Sequence, residues 1–299
     1  MPFKDQINAD INHRFIRVLT KLTVSALILL VWACGSLPAD DSISTTGITI
    51  TQLANEGAMI SDGETRILID AMVVEPYSIY GGLPAEAIPV FEQLSGPFSE
   101  IDLVLVSHRH HDHNQPRFAC SFMQASSHSK MISSSQVLGL MREKCRQFLS
   151  SSGRVSEMNP QYGEPHIIEL ENVQISVFPL SHGTGKYARL QNYGHLIEIG
   201  GMKVLHVGDA AMKPADFSRA GLDKLEIDVA LIPFWYFQPG PGSEVIKAFL
   251  DAPHKIAVHI PPGEMAEVQE YMKESFPQVT ILENPLDQAS FTAPPRPLR

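Results

Sequence analysis

Cysteine is scarce in this chain, with three among 299 residues, which excludes the class of small, disulfide-dense scaffolds. Basic residues are too few for a protein that holds nucleic acid by neutralising phosphates. There are 23 Lys and Arg against 33 Asp and Glu, and the formal net charge is -10. A small anionic substrate is still allowed, because its binding depends on local charge. Hydrophobic residues make up 44% of the chain, enough for a substantial core.

The apolar run near the N-terminus is short for a membrane-spanning helix. Leu22–Ala33 has twelve residues, against about 20 for a span. Arg14, Arg17 and Lys21 precede it, and a basic segment before a short apolar run is typical of an export signal. We therefore predict that residues 1–33 are an export signal.

The end of this run, Val31-Trp32-Ala33-Cys34, resembles a bacterial lipobox. The resemblance implies that Cys34 is lipidated and holds the protein at the periplasmic or cell-surface face of a bacterial membrane. The alternative is an uncleaved signal anchor, which also places the domain outside the cytoplasm. Residues 34–46 would then be a tether, and this N-terminal segment would be the only part in contact with the membrane.

Strand hairpins alternate with helices through residues 47–285, and no linker divides them. This pattern predicts one α/β (α+β) domain, a four-layer αββα sandwich of two mixed sheets flanked by helices. Residues 286–299 are predicted to be a C-terminal tail. Cys120 and Cys145 fall in predicted helices. They could pair in an oxidising compartment or be two separate buried thiols.

Metal-binding side chains are concentrated after the apolar strand Ile101–Val106. Four histidines and one aspartate occur within residues 108–113, and imidazole and carboxylate are the ligands that zinc prefers. In extended chain, His108 and His110 point the same way and can bind one ion. A helical turn after them would direct Asp112 and His113 towards a second ion.

Further candidate ligands follow other predicted strands, namely His182, Asp209 and His259. Each is a weak signal alone. Together with Asp70, which ends the strand Arg66–Ala71, and with the cluster at 108–113, their order resembles the metallo-β-lactamase superfamily. The signature of that family is a strand-end aspartate, then H-x-H-x-D-H, then H, D and H at later strand ends.

The resemblance implies a site for two Zn2+ ions, with iron or manganese as alternatives. It assigns His108, His110 and His182 to one metal and Asp112, His113 and His259 to the other, and Asp209 bridges both. Asp70 would support the loop by hydrogen bonds. Asp112 would be the catalytic residue that orients a metal-bridging hydroxide and moves a proton.

The implied activity is hydrolysis of an ester, lactone or phosphodiester bond in a small-molecule or lipid substrate. The bridging Asp209 argues against a true β-lactamase. The segments Ser181–Gly185 and His259–Pro262 are most similar to the lactonase-like and phospholipase-D-like branch. The alternatives are a mononuclear iron thiol dioxygenase on the same fold and a non-catalytic metal-binding protein.

Aromatic and basic residues lie in the loops that carry His182 and that precede His259. If both loops face the metals, they form an apolar wall with a few polar groups. The predicted substrate pocket contains Tyr187, Arg189, Trp235, Tyr236 and Phe237. The loop Met72–Leu83 is predicted to lie at the rim of the site or to cover it.

Overall fold

The structure is a computed structural model that describes residues 47–295. The predicted export signal, Cys34 and the tether lie outside the described residues. Within the described range, no helix is long and apolar enough to cross a bilayer.

The first sheet is built mainly from the N-terminal half of the domain. Its first three strands pair antiparallel and the next three add in parallel. In chain order they are β1 (Gly47–Gln52), β2 (Ala58–Ser61), β3 (Arg66–Ile69), β4 (Leu103–Val106), β5 (Lys130–Ser133) and β6 (Val155–Glu157).

The second sheet repeats this plan with seven strands, four antiparallel and then three added in parallel. They are β7 (His166–Leu170), β8 (Val173–Pro179), β9 (Tyr193–Ile199), β10 (Met202–His206), β11 (Val229–Pro233), β12 (His254–Val258) and β13 (Val279–Ile281).

Helices pack on the outer face of each sheet. The first sheet is covered by α1 (Ile88–Glu92), α2 (Pro116–Ala125) and α3 (Ser135–Ser151). The second is covered by α4 (Pro214–Ala220), α5 (Gly242–Phe249) and α6 (Met265–Ser275).

Alternation along the strands explains why the protein has four layers. In β3, Ile67 and Ile69 face the second sheet, whereas Leu68 packs with the helices. In β10, Val204 faces inward and Leu205 packs outward. Because both faces of the central strands are apolar, each sheet needs cover on both sides. The predicted αββα sandwich is confirmed.

The C-terminal boundary differs from the predicted one. β14 (Gln288–Thr292) pairs antiparallel with β1 and completes the first sheet. Residues 288–292 therefore belong to the domain, and the tail predicted from residue 286 begins too early. Residues 296–299 lie outside the described part of the chain.

Cys120 of α2 and Cys145 of α3 form a disulfide. This settles the alternative that the sequence left open. α3 is kinked at Cys145, whose backbone angles of φ -142° and ψ 44° are not helical. The bond therefore joins the two helices that follow the histidine-rich loop.

Candidate metal centre

The ends of four strands meet at one edge of the sandwich. β4 ends at Val106, two residues before His108, and β12 leads directly into His259. β8 and β10, which are both antiparallel to β9, run the same way and lead to His182 and Asp209. Because the carboxyl ends of co-directional strands share one edge of a sheet, side chains far apart in sequence converge there.

The first group of side chains is His108, His110, His182 and Asp209. One ligand atom from each lies within 4.8 Å of the others. His108 Nε2 is 3.0 Å from His110 Nδ1, as the extended spacing predicted. His182 Nε2 is 3.2 Å from Asp209 Oδ2.

The second group is Asp112, His113, His259 and the other oxygen of Asp209. Asp209 Oδ1 is 3.3 Å from His113 Nε2 and 3.4 Å from His259 Nε2. Asp112 Oδ2 is 3.4 Å from His259 Nε2. The structure thus brings together all seven residues that the sequence selected, and the two oxygens of Asp209 face different groups.

These residues fit two divalent ions. His113 Nε2, both ring nitrogens of His182 and of His259, and Asp209 Oδ1 are buried and have no hydrogen-bond partner among residues 47–295. Such atoms are costly unless they are paired or bind an ion. With zinc–ligand distances of about 2.0–2.1 Å, tetrahedral ligands are about 3.3 Å apart, close to the separations found here.

Burial favours the metal-binding form of His108. Burial holds the pKa of His108 well below its usual value, and the nearby His113 lowers it further. A neutral imidazole is the form that binds a metal. Burial opposes ionisation of Asp209, but the charges of His113 and His259 outweigh it and hold the Asp209 pKa well below normal.

Asp70 is fully buried and contacts the loop that carries His108–His113. Its Oδ1 accepts from the Ser107 backbone N–H at 2.7 Å, and its Oδ2 is 2.8 Å from His113 Nδ1. That contact leaves His113 Nε2 free to face the second group, which matches the supporting role predicted for Asp70. Asp70 and His259 have φ of 48° and 62°, a left-handed conformation that non-glycine residues adopt mainly where other contacts enforce it.

A family model described as "Beta-lactamase superfamily domain" matches residues 65–282. The chain belongs to this superfamily. Three solved structures share its fold. One is a putative metal-dependent hydrolase from Parabacteroides distasonis, with 18% identity, coverage of 79% of this chain and 93% of that chain, and a TM-score of 0.52.

The second is a possible metal-dependent hydrolase from Veillonella parvula. It has 16% identity, coverage of 82% of this chain and 99% of that chain, and a TM-score of 0.57. The third is an isothiocyanate hydrolase from Delia radicum gut bacteria, with 15% identity, coverage of 82% and 100%, and a TM-score of 0.57. No curated protein matches the chain. At these identities the solved structures show a shared fold.

Sequence reasoning missed three residues that contact this superfamily site. Asn55 Nδ2 donates to Asp112 Oδ2 at 3.3 Å. Glu56 is buried beneath His113, with Oε2 3.7 Å from His113 Nδ1. Tyr80 packs edge-on against His259, with ring centroids 4.6 Å apart. Asn55 and Glu56 are polar residues between two apolar strands, a signal that could have found them. Tyr80 lies in the loop that was predicted to rim the site.

Two of the five predicted pocket residues touch the metal-site histidines. Tyr187 stacks on His182 at 5.0 Å between ring centroids, and Trp235 packs edge-on to His259 at 4.8 Å. Arg189 is exposed, and its backbone carbonyl accepts from Gln136 on α3.

Tyr236 and Phe237 are corrections, because both are buried in the core and cannot wall a substrate pocket. The Tyr236 hydroxyl donates to the Ala210 carbonyl at 2.6 Å, and Phe237 packs on Phe276. The segment Phe234–Phe237 forms a 3₁₀ turn, in which successive side chains point about 120° apart. One face of the turn therefore meets the site while the other anchors the residue after Asp209.

Proposed function

We propose that this protein is a dinuclear metal-dependent hydrolase, with zinc as the leading metal. The observation that carries the proposal is the division of seven candidate ligands into two groups that share the carboxylate of Asp209. Divalent ions held there would supply a water of lowered pKa and polarise the bond to be cleaved. The protein's own residues would orient the water, move the proton and hold the substrate.

Asp112 is the proposed proton carrier. Burial would raise its pKa, but the nearby His259 and His113 lower it below the usual value. Asp112 is therefore a carboxylate that can accept a proton from water. Asn55 Nδ2 contacts its Oδ2, which fixes the direction in which the carboxylate faces.

Aromatic side chains define the substrate class that we propose. Tyr80 and Trp235 lie against His259, and Tyr187 lies against His182. They present apolar surface beside both groups. The ammonium of Lys186 is 4.9 Å from the centre of the Tyr187 ring. These features favour a substrate with an apolar part, small or lipid-like, and we place a carboxylic ester or lactone before a phosphodiester.

A matched pair of histidine substitutions tests the metal centre. We expect purified wild type and His111→Ala to contain close to two transition-metal ions per chain, because His111 is exposed and belongs to neither group. We expect His110→Ala to lose metal and activity. Wild-type protein without bound transition metal after reconstitution would overturn the proposal.

A hydrolysis panel then decides the bond type. Lactones, thioesters, phosphodiesters, phospholipids and β-lactams would be assayed with metal-replete protein, and esters or lactones with apolar groups should react fastest. The rival iron thiol dioxygenase predicts one iron per chain with thiol oxidation. A non-catalytic role predicts bound metal with no turnover across the panel.

We also propose export and lipid anchoring through Cys34. Support comes from the N-terminal pattern and from the Cys120–Cys145 disulfide, a bond typical of oxidising compartments. Labelling with a radioactive fatty acid should mark the wild type and not Cys34→Ala. A wild type that remains unlabelled in the membrane fraction would support the signal anchor.

A further inference from the structure

Glu56 is the most unusual acidic residue near the site. It lies in the β1–β2 loop (Leu53–Gly57), is 1% exposed, and neither carboxyl oxygen has a hydrogen-bond partner in the described part of the chain. A buried carboxyl group without partners destabilises a fold, and an apolar residue of similar size would be better tolerated. Its presence therefore points to a role in the site.

The β1–β2 loop lies beside every member of the second group. The Asn55 carbonyl accepts from the His259 backbone N–H at 3.2 Å, and Asn55 Nδ2 contacts Asp112. Glu56 Oε2 is 3.7 Å from His113 Nδ1. One carboxyl oxygen of Glu56 lies within 4.8 Å of a ligand atom of each of His113, Asp209 and His259.

The β1–β2 loop also packs closely against the backbone beneath the site. A Cβ on Gly57 would lie 2.5 Å from the Asp70 carbonyl oxygen. Only glycine permits this approach, so the loop lies directly on the backbone of the residue that supports His113.

The tautomer of His206 determines whether the ring nitrogen that faces Glu56 carries a proton. The Gly208 backbone N–H donates to His206 Nδ1 at 3.2 Å, so a neutral His206 carries its proton on Nε2. That nitrogen is 3.5 Å from Glu56 Oε1. The protonated His206 Nε2 therefore faces Glu56, although no hydrogen bond is formed between them. This argues against a third metal held by Glu56, Asp70 and His206, although these residues are close enough for one.

We propose that Glu56 is a positioning residue for the second metal position. One oxygen lies 3.7 Å from His113 Nδ1, next to the Asp70 oxygen that this nitrogen contacts. The other lies 3.5 Å from His206 Nε2, and His206 Nδ1 in turn accepts from the N–H of Gly208, the residue before Asp209. Glu56 thereby links a ligand from the first sheet to a ligand from the second. This inference rests on the proposed metal centre and assigns a residue that the superfamily signature used above does not contain.

The test compares Glu56→Gln with Glu56→Leu in the full chain, using Co2+ as the probe. Gln keeps an oxygen that can accept from His206, whereas Leu has similar volume and no acceptor. The readouts are metal per chain, Co2+ affinity by chelator competition, and the visible d–d spectrum of the second ion. Glu64→Leu, an exposed substitution in the β2–β3 turn, is the control.

We expect Glu56→Leu to bind the second ion about 10–100 times more weakly, as is typical when a ligand's supporting contact is lost. The first ion should be unaffected, and Glu56→Gln should stay within a few-fold of wild type. Equal affinity in Glu56→Leu and wild type would overturn the proposal. Equal loss in both variants would also overturn it, because Gln preserves the acceptor.

His206→Asn tests the same link if Glu56→Leu does not fold. Asn keeps an acceptor for Gly208 N–H but is too short to reach Glu56, so the second ion should again be weakened. An unchanged second ion would overturn the link. Wild type that binds no Co2+ would defeat the proposed metal centre itself, and that outcome is distinct from any effect of Glu56.

Discussion

Single side chains in this protein serve the site through a few short contacts, and Asp70 is the clearest case. It accepts from Ser107 through both carboxyl oxygens and is 2.8 Å from His113 Nδ1. Because it is buried and ionised, it fixes which nitrogen of His113 faces the site. Burial opposes ionisation, yet the charge of His113 and the hydrogen bonds hold the Asp70 pKa below normal.

We predict that Asp70→Asn lowers metal affinity about 10–100-fold. The amide keeps the shape of the carboxylate but not its charge, and one of its two positions becomes a donor facing Ser107 or His113. Chelator competition measures the effect. Asp62→Asn is the control, because Asp62 also accepts backbone N–H groups, from Glu64 and Thr65, but in an exposed turn. Similar affinities in the two variants would contradict the role of Asp70.

The buried side chain of His195 supports a prediction about how stability depends on pH. It lies opposite His206 on neighbouring strands, and burial together with the nearby His206 lowers its pKa from 6.5 to about 3. Between those values the unfolded chain binds a proton that the folded chain does not. The free energy of unfolding therefore falls as the pH drops from 6.5 towards 3.

In metal-free protein, the free energy of unfolding of His195→Leu should fall less steeply as the pH drops. The difference in slope should correspond to about one bound proton. Urea unfolding at pH 7, 6, 5 and 4 measures the slope. Some slope will remain, because burial lowers the pKa of His206 and His108 in the same direction. An unchanged slope would mean that His195 is not kept neutral by the fold.

At the scale of elements, α2 and α3 are joined by the disulfide between Cys120 and Cys145. The bond spans a sequence separation of 25 residues. Cross-links over loops of this length stabilise by about 3 kcal/mol, mainly by restricting the unfolded chain. We predict that the free energy of unfolding of the Cys120→Ala/Cys145→Ala double variant is lower by about 3 kcal/mol. Its midpoint of urea unfolding should therefore lie at a lower urea concentration.

Reducing agent should lower the stability of wild type and leave the double variant unchanged. The comparison separates loss of the bond from loss of the two buried sulfur atoms. If reductant has no effect on wild type under unfolding conditions, the cysteines are not bonded in the purified protein.

The edge strand β14 supports a prediction about the stability of the first sheet. It pairs with β1 over five residues, from Gly47–Thr292 to Thr51–Gln288. A chain that ends at residue 286 would expose the edge of β1, so we expect lower stability and a greater tendency to aggregate. A chain that ends at residue 295 retains every pair of β14 and is the control. Equal thermal stability of the two would show that β14 contributes little.

Across the whole molecule, the proposed metals would act as a bridge between the two sheets. His108–His113 follow β4 of the first sheet, whereas His182, Asp209 and His259 follow strands of the second. An ion bound only by the folded state stabilises it by about 2.7 kcal/mol when free metal is 100 times the Kd.

We therefore predict that chelation lowers the unfolding temperature by about 5–10 °C, the shift that this free energy gives in a domain of this size. Adding zinc should restore it, and calorimetry measures both steps. The His110→Ala variant should show a smaller shift than wild type. A wild type with the same unfolding temperature with and without chelator would contradict a metal link between the sheets.

The sequence alone determined much of the sheet framework and all seven candidate ligands. Long apolar runs mark buried strands because side chains on both faces avoid water, and polar ligands that interrupt such runs mark strand ends. Short strands such as β5 and β6 were missed because three or four residues carry too little periodicity. β14 was missed because it alternates between half-buried and exposed side chains.

Only the tertiary structure decided the contacts between distant segments. It paired Cys120 with Cys145, placed Glu56 under His113, and turned Tyr236 and Phe237 into the core. Periodicity describes which face of its own element a residue occupies. It does not say which other element lies opposite, and that depends on how the two sheets pack. The candidate ligands were selected because their order resembles the superfamily signature, whereas the residues that support them and surround them required the packed fold.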